Sequence, residues 1–198
     1  MKKVIWIIGG NAAGKTTQAR MFHDTFGTEE KEIVNFNIDG IDSSLTYYGK
    51  TAHVGAIKDA QCSGTDTLGK KQQIELAFDQ CIDIEGVDYV VLEPIMGSGS
   101  YIQMFRKFDV KIYIILLYYS TLEQNLERLQ QRRSAKGRPL EEFRERTKHN
   151  VESKRKNFIS LFNRVKDQCD ASLKISATLS AEEIHHKIAN FVYELDFQ

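Results

Sequence analysis

The stretch that most constrains this chain is Gly9-Gly-Asn-Ala-Ala-Gly14-Lys15-Thr16, which follows the apolar run Val4–Ile8 and precedes the helix-forming Thr17-Gln-Ala-Arg-Met-Phe22. The run is too short for a buried helix and reads as a strand covered on both faces. The glycines and lysine stand at the spacing G-x-x-x-x-G-K-[ST], so strand, loop and helix follow one another in the order a phosphate-binding loop requires. Glycine lets backbone amides turn inward and approach a phosphate where a Cβ would clash. The motif predicts that residues 9–17 (Gly9, Gly10, Asn11, Ala12, Ala13, Gly14, Lys15, Thr16, Thr17) bind a nucleoside triphosphate. Lys15 is expected on the β- and γ-phosphates and the Thr16 hydroxyl on Mg²⁺, with the helix N-terminus adding a positive dipole end.

Strand patterns then alternate with helical ones, which predicts an α/β fold of three layers, a mostly parallel sheet with helices on both faces. Further strands are expected at Ile33–Ile38, Asp88–Glu93, Val110–Leu117 and Leu173–Ile175, with a hairpin turning at Gly49-Lys50. Helices are expected over Lys15–Phe26 with Gly27 closing it, Leu68–Ile84, Tyr101–Lys107, from Ser120 to a break at Ala135–Pro139, Leu140–Asp167, and after Ser180, which opens a capping box with Glu183. No linker or repeat interrupts the pattern, so residues 1–198 are expected to form a single domain.

Charge is balanced overall, 27 Lys/Arg against 27 Asp/Glu, yet residues 128–166 hold thirteen basic residues and four glutamates. That segment predicts a basic helical lid over about 128–150 on an otherwise acidic molecule. Three cysteines without metal-ligand spacing argue against a disulfide framework or a zinc site, and Cys62 reads as a packed thiol. The longest apolar run, Ile112–Tyr119, is too short to span a bilayer, and the first strand leaves no room before it for a signal peptide. The expectation is a soluble, cytoplasmic protein that meets no membrane.

In open α/β sheets, ligands bind outside the carboxyl ends of the strands. Glu93 ends a strand and is expected at the rim of the phosphate loop, holding Mg²⁺ through water or orienting an acceptor. Asp39 ends another and is a second rim candidate, unless Asp39-Gly40 is simply a turn. Asp66, in the small-residue loop Cys62-Ser-Gly-Thr-Asp-Thr67, is placed either to take a proton from an acceptor hydroxyl or to cap the next helix. Arg128 and Arg132, one helical turn apart, and Arg133 beside them are suited to the charge that phosphoryl transfer spreads over three oxygens. His53 reads as a strand-face residue. Tyr47, Tyr48 and Tyr101 read as packing, with base stacking as the alternative.

With these residues in place the chain resembles the P-loop nucleotide and nucleoside kinases over nearly its whole length. Tyr48-Gly-Lys50, Cys62–Thr67, Leu92-Glu-Pro94 and Arg128 with Arg132-Arg133 are similar to a narrower group, bacteriophage 5-hydroxymethyluracil DNA kinases. The resemblance implies an ATP·Mg²⁺-dependent kinase that phosphorylates a base hydroxymethyl in DNA, working in the host cytoplasm. It further implies Asp66 and Glu93 at the acceptor end, Tyr48 and Lys50 on the substrate, and the three arginines on phosphates. The rival expectations are a deoxynucleoside or deoxynucleoside monophosphate kinase, and a nucleotide-sensing ATPase switch. The oligomeric state stays open, a homodimer included.

Overall fold

The computed structural model describes residues 1–28, 30–58, 64–94, 98–137 and 143–197. Seven strands form one sheet: β1 (Lys2–Gly9), β2 (Glu32–Ile38), β3 (Ile41–Tyr48), β4 (Thr51–Val54), β5 (Tyr89–Leu92), β6 (Val110–Tyr118) and β7 (Ala171–Ser176), in the spatial order β2-β3-β4-β5-β1-β6-β7. From β4 to β7 every neighbouring pair is parallel, whereas β2, β3 and β4 join through antiparallel hairpins. The sheet is therefore mostly parallel.

The helices are α1 (Lys15–Phe26), α2 (Lys71–Asp83), α3 (Ser100–Phe105), α4 (Leu122–Ser134), α5 (Glu145–Val165) and α6 (Ala181–Asp196). Side chains alternate across β1, so Val4, Trp6 and Ile8 join one core with Phe78 of α2, Phe105 of α3 and Phe162 of α5. Ile5 and Ile7 join the opposite core with Phe22 of α1 and Ile188 of α6. A strand buried on both faces has no polar alternation to show, which is why Val4–Ile8 is uniformly apolar. In the first core Trp6 sits edge-on to Tyr101, with ring centroids 6.0 Å apart.

Several expected helix starts move, α5 among them, which begins at Glu145 rather than Leu140. Ser120 does not cap α4; Thr121 does, accepting the Gln124 amide while the Gln124 side chain accepts the Thr121 N–H. Neither Asp66 nor Thr67 caps α2, which begins three residues later than Leu68 and turns the Gln73 side chain back to the Lys70 amide. The capping box at Ser180 and Glu183 forms as the sequence predicts. Gly27 does follow α1, but with extended backbone rather than the left-handed form; glycine is required there because a Cβ would lie 2.6 Å from the His23 carbonyl.

Candidate functional site: a loop-and-helix cleft at the carboxyl rim

Loop 9–16 leaves β1 at its carboxyl end. A Cβ on Gly9 would stand 2.5 Å from the Leu117 carbonyl, so only glycine lets the chain cross β6 here. Ala12 and Gly14 adopt left-handed backbone with φ of 59° and 88°, and such alternation gathers amides into an anion-binding concavity. Gly14 occupies the N-cap of α1 and brings no side-chain oxygen, so the first-turn amides remain available to a ligand.

Three side chains brace the crest of the loop. The Asn125 amide, fully buried on α4, donates to the Asn11 carbonyl at 2.6 Å, and the Tyr119 hydroxyl donates to the Ala12 carbonyl at 2.8 Å. Burial pushes the Tyr119 phenol up to about 12, which keeps it a donor. Lys154 of α5 reaches the Asn11 side-chain oxygen at 3.4 Å. None of the three was expected from the sequence. Asn125 had a signal, since it lies three residues before Arg128 and shares its helical face; the other two are contacts over more than a hundred residues of chain.

A cleft of about 700 Å³ opens over the loop, lined by residues 11–17 of the loop, Arg128, Arg132 and Gln131 of α4, Lys154, and Asp66. Arg128 and Arg132 thus share a face toward the cleft, as their spacing predicts. Arg133 is not part of that lining, and its guanidinium lies 5.3 Å from the centre of the Phe143 ring. Lys15 donates to the Gly9 carbonyl at 3.2 Å. Burial lowers its ammonium below the ordinary lysine range, the carboxylates of Glu93 and Asp66 oppose that shift, and Lys154 and Arg132 add to it.

Glu93 stands where the rim rule expects it, one residue beyond β5 and fully buried. The Thr16 hydroxyl donates to its Oε2 at 3.2 Å, and its amide donates to Thr65 Oγ1. Its Oε1 has no hydrogen-bond partner among the described residues. These donors fit Mg²⁺: the Thr16 proton points at Glu93, which leaves the hydroxyl lone pairs for a cation, and a hard carboxylate stands behind to hold its waters. Among the described residues no group of three or more His, Cys, Asp or Glu is placed to hold a metal ion by itself.

Asp66 lies in a single 3₁₀ turn, Thr65–Thr67. The turn is pinned on both sides, for Thr65 donates to the Val54 carbonyl at 2.9 Å and Thr67 accepts the Ala56 amide at 3.1 Å. A second cleft of about 480 Å³ opens beyond it, lined by Leu68, Ile74, Pro94 and Tyr101 with Lys70 and Lys71 at its edge. Asp66 lines both clefts.

Three residues expected on the substrate lie away from the loop, Asp39 by distance along the carboxyl rim and Tyr48 and Lys50 by strand direction. Asp39 occupies the exposed hairpin turn between β2 and β3, with φ of 51°. Three strands separate β2 from β1, which places the turn roughly 19 Å across the sheet from the loop. Because β3 runs against the parallel strands, Tyr48 and Lys50 lie at the opposite rim, where the Lys50 carbonyl accepts the Asp88 amide. There Tyr48 stacks on His23 with ring centroids 4.4 Å apart. Cys62, Gly97 and the 138–142 part of the expected lid lie outside the described residues. Among the described residues no helix is long and apolar enough to cross a membrane.

A scan against protein-family models finds no match, and a search of the curated proteins finds no relative.

Proposed function

We propose that this protein is an ATP·Mg²⁺-dependent phosphotransferase with a P-loop kinase fold, acting on a hydroxyl of a nucleobase. The hydroxymethyl group of 5-hydroxymethyluracil in DNA is the acceptor the sequence resemblance favours. The observation that carries the reading is the position of Asp66, a carboxylate lining both the cleft over the phosphate loop and the cleft lined by Tyr101. A transferring group must pass between a donor and an acceptor compartment, and a general base belongs at their junction.

In this reading the loop amides and Lys15 hold the β- and γ-phosphates, and Arg128, Arg132 and Lys154 neutralise charge on the transferring group. Thr16, and Glu93 through water, would hold Mg²⁺, which would supply positive charge against the phosphates. The acceptor oxygen attacks the γ-phosphorus, the bond from phosphorus to the β,γ-bridging oxygen breaks, and ADP leaves with that electron pair. Asp66 takes the acceptor proton. Glu93 suits the base role less well, being fully buried with one oxygen already held by Thr16. A base inside a duplex cannot reach this cleft, so a DNA substrate would have to present the target flipped or single-stranded.

A free deoxynucleoside or its monophosphate is the second reading. The size of the second cleft favours it, because about 480 Å³ suits one small ligand and Lys70 and Lys71 at its edge suit a phosphate. Transfer of radiolabel from γ-labelled ATP to a panel of acceptors separates the readings. Label in hydroxymethyluracil-containing DNA supports the first, label only in free nucleosides or nucleotides supports the second, and fast ATP hydrolysis with no labelled acceptor overturns both.

A further inference from the structure

Behind Glu93 runs a line of polar side chains that the proposed chemistry does not use. Thr51 Oγ1 and His23 Nδ1 are 2.7 Å apart, His23 Nε2 and His53 Nδ1 are 3.1 Å apart, and His53 Nε2 faces Glu93 Oε1 at 3.7 Å. Thr51, His23, His53 and Glu93 are all fully buried. The strand register explains the alignment. Thr51 and His53 alternate on one face of β4, His53 pairs with Val91, and Glu93 follows two residues on along β5, on the face that α1 covers. His23 projects from α1 into the same layer.

We propose that His53, backed by His23 and Thr51, is a positioning residue that fixes which oxygen of Glu93 faces Thr16; the proposal rests on the phosphotransferase reading of that site.

Hydrogen-bond direction carries the argument. A neutral imidazole has one N–H and one lone pair, and with both rings neutral the line can run only two ways. In the first, Thr51 donates to His23 Nδ1, His23 Nε2–H donates to His53 Nδ1, and His53 Nε2–H points at the carboxylate. In the second every donor reverses, and the bare lone pair of His53 Nε2 faces Glu93 Oε1 at 3.7 Å. Two lone pairs confronted at a buried site are repulsive, and the carboxylate selects the first arrangement. His23 is held well below the ordinary histidine range by burial, with His53 adding to the shift, so it takes part as the neutral ring this requires. Glu93 then has Oε1 facing an N–H at 3.7 Å and Oε2 accepting from the Thr16 hydroxyl at 3.2 Å.

A second observation points the same way. A Cβ on Gly64 would lie 2.2 Å from Glu93 Oε1 and 2.6 Å from His53 Nε2, with φ of +66° at that glycine. The fold keeps this position without a side chain, and that leaves the imidazole and the carboxylate facing each other. Partners that orient a metal-binding side chain from behind typically change metal affinity or activity about 10- to 100-fold when removed.

The test has two arms. Long-range proton–nitrogen spectra of the wild-type rings are expected to show a proton on His53 Nε2; a bare Nε2 of His53 overturns the proposal. In the second arm, ATP affinity is measured with and without Mg²⁺. The Mg²⁺-dependent gain is expected to shrink about 10-fold in His53→Phe and to return to within about threefold of wild type in His53→Gln, which keeps an N–H within reach of Glu93. An unchanged gain in a folded His53→Phe variant overturns the proposal. If that variant does not fold, the ring spectra decide. Wild-type protein that binds no ATP would sink the phosphotransferase reading instead, and the ring spectra would still decide this one.

Discussion

The hydroxyl of Thr16 donates to Oε2 of Glu93 across 3.2 Å, joining the first turn of α1 to the end of β5 over 77 residues of sequence. This contact ties loop 9–16 to the one fully buried carboxylate among the described residues.

Replacing Asp66 by Asn keeps the shape of the turn and removes the proposed base. Phosphoryl transfer is expected to fall about 10²- to 10⁴-fold while ATP affinity changes little. Single-turnover transfer alongside a nucleotide-binding titration checks this. Transfer within a few-fold of wild type would remove Asp66 from the mechanism.

Lys15→Met should cost about 10²-fold or more in transfer, the loss expected when a preorganised charge on the phosphates is removed. The folded protein should not suffer. Burial lowers the Lys15 ammonium below its unfolded value, so at neutral pH the charged form opposes folding, and the opposition fades only as pH rises toward the unfolded lysine value. A melting temperature equal to or above that of wild type near pH 7 is the expected result.

His23 gives a pH dependence of defined sign. Its folded value lies below its unfolded one through burial, so the unfolded chain takes up a proton first as pH falls below about 6.5. Stability is complete above that value and declines beneath it, by at most about 1.4 kcal/mol per pH unit from this group. Denaturant titrations between about pH 7.5 and 5.5 should show a shallower decline in His23→Gln than in wild type.

Gly64→Ala is expected to destabilise by roughly 2 kcal/mol or more, because the new methyl meets the Glu93 carboxylate and the backbone there is left-handed. Gly86→Ala is the control. It has φ of +82° but nothing within 4 Å of its Cβ, so it carries the backbone cost alone. Equal losses in the two variants would remove the steric part of the argument.

Much of the site's frame was legible in local patterns. The limits of α1 were readable to the residue, because a glycine-rich loop marks its start and Gly27 its end. Glu93 was placed correctly from one apolar strand and the carboxyl-rim rule. The same rule puts Asp39 on the carboxyl rim, since two reversals return β2 to the direction of β4, but it gives no distance along the rim, and three strands lie between β2 and β1. The resemblance that suggested Tyr48 and Lys50 carries no strand direction, and β3 takes them to the opposite rim. An alternating run reveals that a strand exists and conceals which way its neighbour runs. Thr121 was missed because Ser120 beside it is an equally good cap. The line from Thr51 to Glu93 had no local signature, since its members come from α1, β4 and the end of β5 and meet only once the sheet is assembled. His53 was read correctly as facing from a strand, but what it faces could not be known from position 53 alone.

The edge-on contact between Trp6 and Tyr101 has a practical outcome. The chain holds a single tryptophan, and the tyrosine against it forms part of the wall of the second cleft. Indole emission therefore comes from one known point directly behind that wall. A molecule that enters and shifts Tyr101 will alter the quantum yield or wavelength of that emission, so the protein carries its own optical gauge of what occupies the second cleft, with no label attached.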